Sequence, residues 1–152
     1  MRSEGELKLK RFNQGCVILV IGLPGSGKTH YVKQNLENSV VFDLDHIAAA
    51  LRLTEPHSER HEAARVISND LIYDFVAKAR RYSKKTYIIR TAPQPSEVEQ
   101  ISPDKIIVCR GSHNILKRPD YSPVNRCEYL AKIQRVIDLS KSENIPLEEI
   151  KT

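Results

Sequence analysis

Short runs of continuous apolar residues alternate along this chain with longer stretches in which apolar positions recur every three or four residues. Residues 17–21 carry no polar side chain, the pattern of a strand buried on both faces. Residues 40–44, 86–90 and 105–110 read as three further strands. Between them, helical spacing predicts a helix from Lys28 to near Asn38 and a short one over 47–53. A long helix follows the polar loop 54–58, capped by Ser58, ending near Tyr82 and burying a stripe of Ala63, Val66, Ile67, Leu71, Phe75 and Val76. Pro93 and Pro95 break the chain before a brief helix over 97–100. An amphipathic helix over 124–143 closes the chain, with Leu130, Ile133, Ile137 and Leu139 on its apolar face. Repeated β-α-β order predicts an α/β, three-layer fold: a mainly parallel sheet of about four or five strands with helices on both faces. Residues 1–13 alternate from Leu7 to Phe12 and read as an edge strand or a loose arm.

At 152 residues the chain has room for one core, so residues 1–152 are expected to form a single domain. No apolar run approaches the ~20 residues needed to span a bilayer, and the first residues lack a secretory core. Cys16, Cys109 and Cys127 have no metal-ligand spacing, and the first two fall in strands expected to be buried. The expectation is a reduced, cytoplasmic protein with no membrane partner; the sequence does not give an oligomeric state. The net charge of +5 suits nucleic acid, but a triphosphate also calls for positive charge, so basicity favours a polynucleotide only slightly.

The chemistry concentrates after the first strand. Gly22, Leu23, Pro24, Gly25, Ser26, Gly27, Lys28 and Thr29 form a G-x-x-x-x-G-K-[ST] loop between a strand and a helix, the context that gives this motif its meaning. Its glycines permit a tight curl whose N–H groups converge on phosphate oxygens. Lys28 is expected to reach the outer phosphates of ATP, and the Thr29 hydroxyl to ligate Mg²⁺.

Motor-type nucleotidases place a second acid at the end of the strand beside the loop-entry strand. Here the candidate strands end in Arg90 and Arg110. The strand-end carboxylates are Asp43 and Asp45 instead, and alternation along an extended strand points them the same way, toward the cleft. One carboxylate there can take a hydroxyl proton during attack on the γ-phosphate, and its neighbour can steady Mg²⁺. One of the pair can also cap the helix beginning near His46.

The loop, together with Val-Phe-Asp-Leu-Asp-His-Ile (41–47) and Tyr-Ile-Ile-Arg-Thr-Ala-Pro (87–93), resembles the small P-loop kinase-like ATP-binding proteins of bacteriophage genomes. More distantly it resembles polynucleotide 5′-hydroxyl kinase and the zeta-toxin kinases. The likeness runs from about Cys16 to Arg118. It implies Asp45 as general base and the usual roles for Lys28 and Thr29.

Kinases of this class cover the triphosphate with arginines. Residues 111–123 follow the fourth strand as a candidate lid carrying Lys117 and Arg118, and Arg126 opens the last helix. Arg90 is expected in the cleft, on substrate phosphate or paired with Asp43 or Asp45. Lys78, Arg80, Arg81, Lys84 and Lys85 can follow a nucleic-acid backbone, yet cations at a helix C-terminus are also expected from the helix dipole. His57 and His61 lack the further ligands of a metal site and read as a solvent-facing helix start. The leading expectation is an ATP- and Mg²⁺-dependent phosphotransferase acting on a polynucleotide 5′-hydroxyl or nucleoside-like acceptor. The alternatives are a nucleotide-dependent switch within a phage or nucleic-acid assembly, and a degenerate kinase, against which the intact Gly27-Lys28-Thr29 argues.

Overall fold

The computed structural model describes residues 15–111 and 123–151. Along them run β1 (Cys16–Gly22), α1 (Lys28–Gln34), β2 (Val40–Asp43), α2 (Leu44–Ala50), α3 (Glu62–Tyr82), β3 (Lys85–Ile89), α4 (Pro95–Ile101), β4 (Lys105–Cys109), α5 (Pro123–Ser142) and β5 (Leu147–Ile150). The strands form one sheet ordered β2-β3-β1-β4-β5. Every pairing is parallel. The α/β class and the parallel sheet are as the hydrophobic pattern predicts.

Handedness explains the layers. The step from β1 out to β2 runs one way across the sheet, and the later steps to β3, β4 and β5 all run back the other way. A constant right-handed crossover must then put α1 on one face and α3, α4 and α5 on the other. The core divides accordingly. Val17, Leu19 and Ile21 of β1 pack with Ile72, Val76, Val98, Ile133 and Ile137, on the side of α3, α4 and α5. Ile18 and Val20 join Val32 of α1 with Tyr87, Ile89, Ile107 and Cys109.

Several boundaries differ from the sequence reading. α1 stops at Gln34, because Asn35 leaves the helical conformation and its side-chain amide turns back to donate to the Tyr31 carbonyl. α2 starts at Leu44, three residues before the expected start, and α3 begins at Glu62 with His61 as its cap; the Ser58 hydroxyl instead donates to the Glu55 carbonyl. The buried face of α3 consists of Ala64, Ser68, Ile72, Val76 and Ala79. Val66, Ile67 and Leu71, expected inside, are 50%, 51% and 44% exposed. The buried stripe of α3 thus mixes the small Ala64, Ser68 and Ala79 with Ile72 and Val76. Cys109 is buried as expected, whereas Cys16 is exposed at the start of β1.

β5 departs from the sequence reading, since Leu-Glu-Glu-Ile offers two glutamates to four positions. It is an edge strand tied to β4 by Lys105 Nζ–Glu148 (2.8 Å) and Arg110–Glu149 (2.8 Å). The N-terminal segment expected as an edge strand or arm lies outside the described residues, as does nearly all of the candidate lid.

Candidate active site

The phosphate loop leaves the carboxyl end of β1, flanked by β3 and β4. This is where the chain reverses its direction of travel across the sheet, the switch point at which parallel sheets collect ligands. Gly25 and Gly27 adopt φ of 79° and 88°, a left-handed conformation that disfavours side chains, so the curl depends on glycine. Within the loop, Pro24, Gly25, Gly27, Lys28 and Thr29 line a cleft of about 600 Å³. Leu23 and Ser26 turn inward, 8% and 1% exposed, and support the curl from beneath. Lys28 Nζ donates to the carbonyls of Gly22 (2.8 Å) and Leu23 (2.9 Å), folding back over the loop that it closes.

Asp43 and Asp45 line the same cleft. The reason differs from strand alternation: β2 ends at Asp43, and Asp45 belongs to the first turn of α2. Asp43, rather than Asp45, is the cap, accepting the Asp45 N–H at 3.1 Å through Oδ1. Its Oδ2 accepts the Thr29 hydroxyl at 3.1 Å and lies 3.0 Å from His46 Nδ1. Two oxygens so spaced suit adjacent corners of an octahedron with ~2.1 Å metal–oxygen bonds, the geometry Mg²⁺ demands. Among the described residues no group of three His, Cys, Asp or Glu side chains gathers to cage a metal. The Thr29–Asp43 pair therefore fits a cation that keeps most of its shell as water and phosphate.

Asp45 lies 3.2 Å from Arg65 and 3.7 Å from His57, both of which line the cleft. Sequence reasoning misses Arg65 because it sits among apolar residues of α3 and reads as a solvated interruption. Its place four residues after the cap, on the face shared with His61, is the available signal. His61 itself accepts the Ala64 N–H at 3.2 Å and serves the start of α3, whereas His57, expected at the same helix start, lies in the preceding loop against Asp45.

Residues 17–115, more than half of the chain, match the model of a family described as AAA domain. The chain belongs to that AAA-domain family. No curated protein matches it. Its fold is similar to that of thymidylate kinase from Candida albicans, with a TM-score of 0.53 and 15% identity over 91% of this chain and 84% of that one. Weaker likenesses are a tunicamycin resistance protein of Deinococcus radiodurans (TM-score 0.46, 16% identity, 91% of this chain and 87% of that one), and an APS kinase of Mycobacterium tuberculosis (TM-score 0.43, 17% identity, 84% of this chain and 98% of that one). At such identities the likeness is one of fold, and only the first is close enough to use: this AAA-domain chain has a P-loop kinase-like fold.

Not every anticipated residue of the AAA-domain protein reaches the cleft. Arg90 is 13% exposed and bonds Glu97 (2.7 Å) and Asn69 (3.0 Å), so it pairs with neither aspartate. It borders a recess of about 40 Å³ together with Lys28, Asp43, Asp45 and Arg65. Arg110 turns to Glu149. Arg126 is exposed and does not line the cleft, to which α5 contributes Tyr129. Arg118 lies outside the described residues. Of the basic cluster, Arg80 bonds Asp104 (2.9 Å) and the Gly15 carbonyl (3.0 Å), and Lys85 sits 5.0 Å from the centre of the Tyr87 ring. Among the described residues no helix is long and apolar enough to cross a membrane.

Proposed function

We propose that this protein is an ATP-dependent phosphotransferase that moves the γ-phosphate to a hydroxyl acceptor, a polynucleotide 5′-hydroxyl or a nucleoside-like molecule. The observation that carries the reading is that Asp43 and Asp45 line one cleft with the phosphate loop. Both strands beside β1 are followed by arginine, where a motor would carry an acid. In this reading Lys28 leaves the Gly22 and Leu23 carbonyls and pairs with the outer phosphates. Asp45 accepts the hydroxyl proton as the acceptor oxygen bonds to the γ-phosphorus, and the bond to the β-bridging oxygen breaks to release ADP. Thr29 and Asp43 would hold Mg²⁺, which would supply charge neutralisation on the phosphates. Arg90, which borders the recess beside Lys28, and Arg118 of the expected lid are proposed for transition-state charge, whereas Arg126 lies off the cleft; the resemblance to polynucleotide and zeta-toxin kinases supports the hydroxyl acceptor. The test is transfer of labelled γ-phosphate to 5′-hydroxyl oligonucleotides and a nucleoside panel, with loss in Asp45→Asn. No transfer to any acceptor, with ATP turnover unchanged in Asp45→Asn, overturns the reading.

A different observation favours a second reading, a nucleotide-dependent binding module. Val66, Ile67 and Leu71 expose apolar surface on α3, the helix that also carries Arg65 to the cleft. A switch predicts ATP-dependent partner binding that survives Asp45→Asn.

A further inference from the structure

Arg90, the first residue after β3, spends its side chain on Asn69 of α3 and Glu97 of α4. The next residue, Thr91, is the one tied to the phosphate loop. Its backbone carbonyl accepts the N–H of Gly22, the first residue of the loop, at 3.1 Å. Ala92 then packs against the core and Pro93 is buried, so the chain is held on both sides of Thr91. Thr91 is half-buried and borders both the main cleft and the recess of about 40 Å³. Lys28, Asp43 and Asp45 border the same two spaces. Among the described residues the Thr91 hydroxyl makes no hydrogen bond, which leaves its donor available to a ligand.

From this geometry we infer that Thr91 is a further catalytic residue, its hydroxyl donating a hydrogen bond to an oxygen of the γ-phosphoryl group. The inference rests on the phosphotransferase reading and adds a residue to its machinery. In that reading the transferring group lies where the lysine of the donor and the carboxylate of the acceptor meet, and Thr91 shares both spaces with both side chains. A motor places an acid beside the loop-entry strand, where it accepts hydrogen bonds from the water around Mg²⁺. A threonine there acts differently. It donates directly to an oxyanion, and it adds no negative charge to a site that already holds Asp43 and Asp45. A hydrogen bond to a charged oxygen is stronger than one between neutral groups, and it gains as charge spreads over the phosphoryl oxygens in the transition state. The hydroxyl keeps its proton throughout, and no bond of its own breaks. ADP lacks the oxygen concerned, so the contact also separates triphosphate from diphosphate. Because the tie to Gly22 runs through the backbone carbonyl, a change of side chain leaves it in place.

The test uses Thr91→Val, which keeps the branched shape and removes the donor, and Thr91→Ser, which keeps the donor. Calorimetry with Mg²⁺ compares the β,γ-imido analogue of ATP with ADP. Thr91→Val should bind the analogue about 10-fold or more weakly and hold ADP within about 2-fold, while Thr91→Ser binds both as the wild type does. On any acceptor that the wild type phosphorylates, Thr91→Val should lower kcat by about 10-fold or more at an unchanged acceptor KM. Retained ADP binding shows that the loop and the fold are intact. An equal loss for the analogue and ADP overturns the inference, since Thr91 would then only shape the loop. Unchanged binding of both overturns it too, as does a raised acceptor KM with full affinity for the analogue, which would put the hydroxyl on the acceptor. If the wild type phosphorylates nothing, the phosphotransferase reading falls by itself: a selective loss of the analogue still upholds the contact with the γ-phosphate, and its absence removes that as well.

Discussion

Gly111 meets the phosphate loop backbone to backbone. A Cβ on it would lie 2.4 Å from Ser26 Cα and 2.7 Å from the Ser26 carbonyl carbon, and backbone cannot swing aside as a side chain can. Gly111→Ala must therefore push the loop, and we expect ATP affinity to fall by about 10-fold or more, since the loop amides act only when aligned. Gly15→Ala makes the control, because its Cβ would meet the Ser83 carbonyl oxygen at 2.1 Å, at the far end of β1. Both variants should lower Tm, but only Gly111→Ala should shrink the rise in Tm that ATP induces. An equal reduction in the two would mean that Gly111 is merely structural. Asp43 is a second residue with separable roles, since it caps α2 and accepts the Thr29 hydroxyl. Asparagine caps as well as aspartate does, so Asp43→Asn should stay within about 0.5 kcal/mol in stability, whereas Asp43→Ala should lose about 1 kcal/mol. Both should weaken the Mg²⁺ dependence of nucleotide binding, read by titration with and without the cation.

At the scale of elements, α3 offers the sharpest check on which stripe faces the core. Ile72 is fully buried, and Ile72→Ala should cost about 2–5 kcal/mol in chemical denaturation. Ile67→Ser, half-exposed on the other stripe, should cost about 1 kcal/mol or less. The long helix is legible in the sequence because its apolar residues recur at helical spacing; its buried face is not, because Val66, Ile67 and Leu71 outweigh Ala64, Ser68 and Ala79 in hydrophobicity. Three of the five buried residues of α3 are small or polar and leave no strong mark in the pattern. β1, β3 and β4 are legible for the opposite reason, being central strands with both faces covered. β5 is illegible as an edge, where glutamates can face water or pair with Lys105 and Arg110. In the site, the phosphate loop is a local motif and can be read outright. Arg52 and Arg65 reach Asp45's cleft only through the packing of α2 on α3, which no local pattern records. Cys109 tests the sheet independently. Burial pushes its thiol pKa up, so less thiolate forms at a given pH, and the fold covers the sulfur as well. Iodoacetamide at about pH 8, near the ordinary thiol pKa, should label the exposed Cys127 in the native protein. Cys109 should react only at the rate at which β4 opens, as mass spectrometry of digests would read.

For the whole molecule, the electrostatics and the scaffold separate in space. The core on both faces of the sheet is apolar, and several ion pairs outside the cleft, such as Lys78–Asp74 and Lys105–Glu148, join side chains open to solvent. Pairs of that kind are worth about 0–1 kcal/mol each and are screened by salt. The cleft instead sets Lys28, Arg52, Arg60 and Arg65 together with Asp43, Asp45 and Glu59 around the space onto which the phosphate loop opens. Salt should therefore act on the two halves of the behaviour differently. Between about 50 and 500 mM KCl the Debye length falls from roughly 14 Å to 4 Å, enough to screen the partly exposed charges of the cleft. The Tm of the ligand-free protein should change little over that range, because its burial terms do not depend on charge. The stabilisation by ATP, about 2.7 kcal/mol at 100 times the dissociation constant, should shrink at fixed ATP as affinity falls. Thermal scans with and without Mg²⁺-ATP across a salt series read both quantities in one experiment. A ligand-free Tm that drops steeply while the ATP increment holds would locate the working charges in the scaffold, and the cleft would have to bind its phosphates through backbone amides alone.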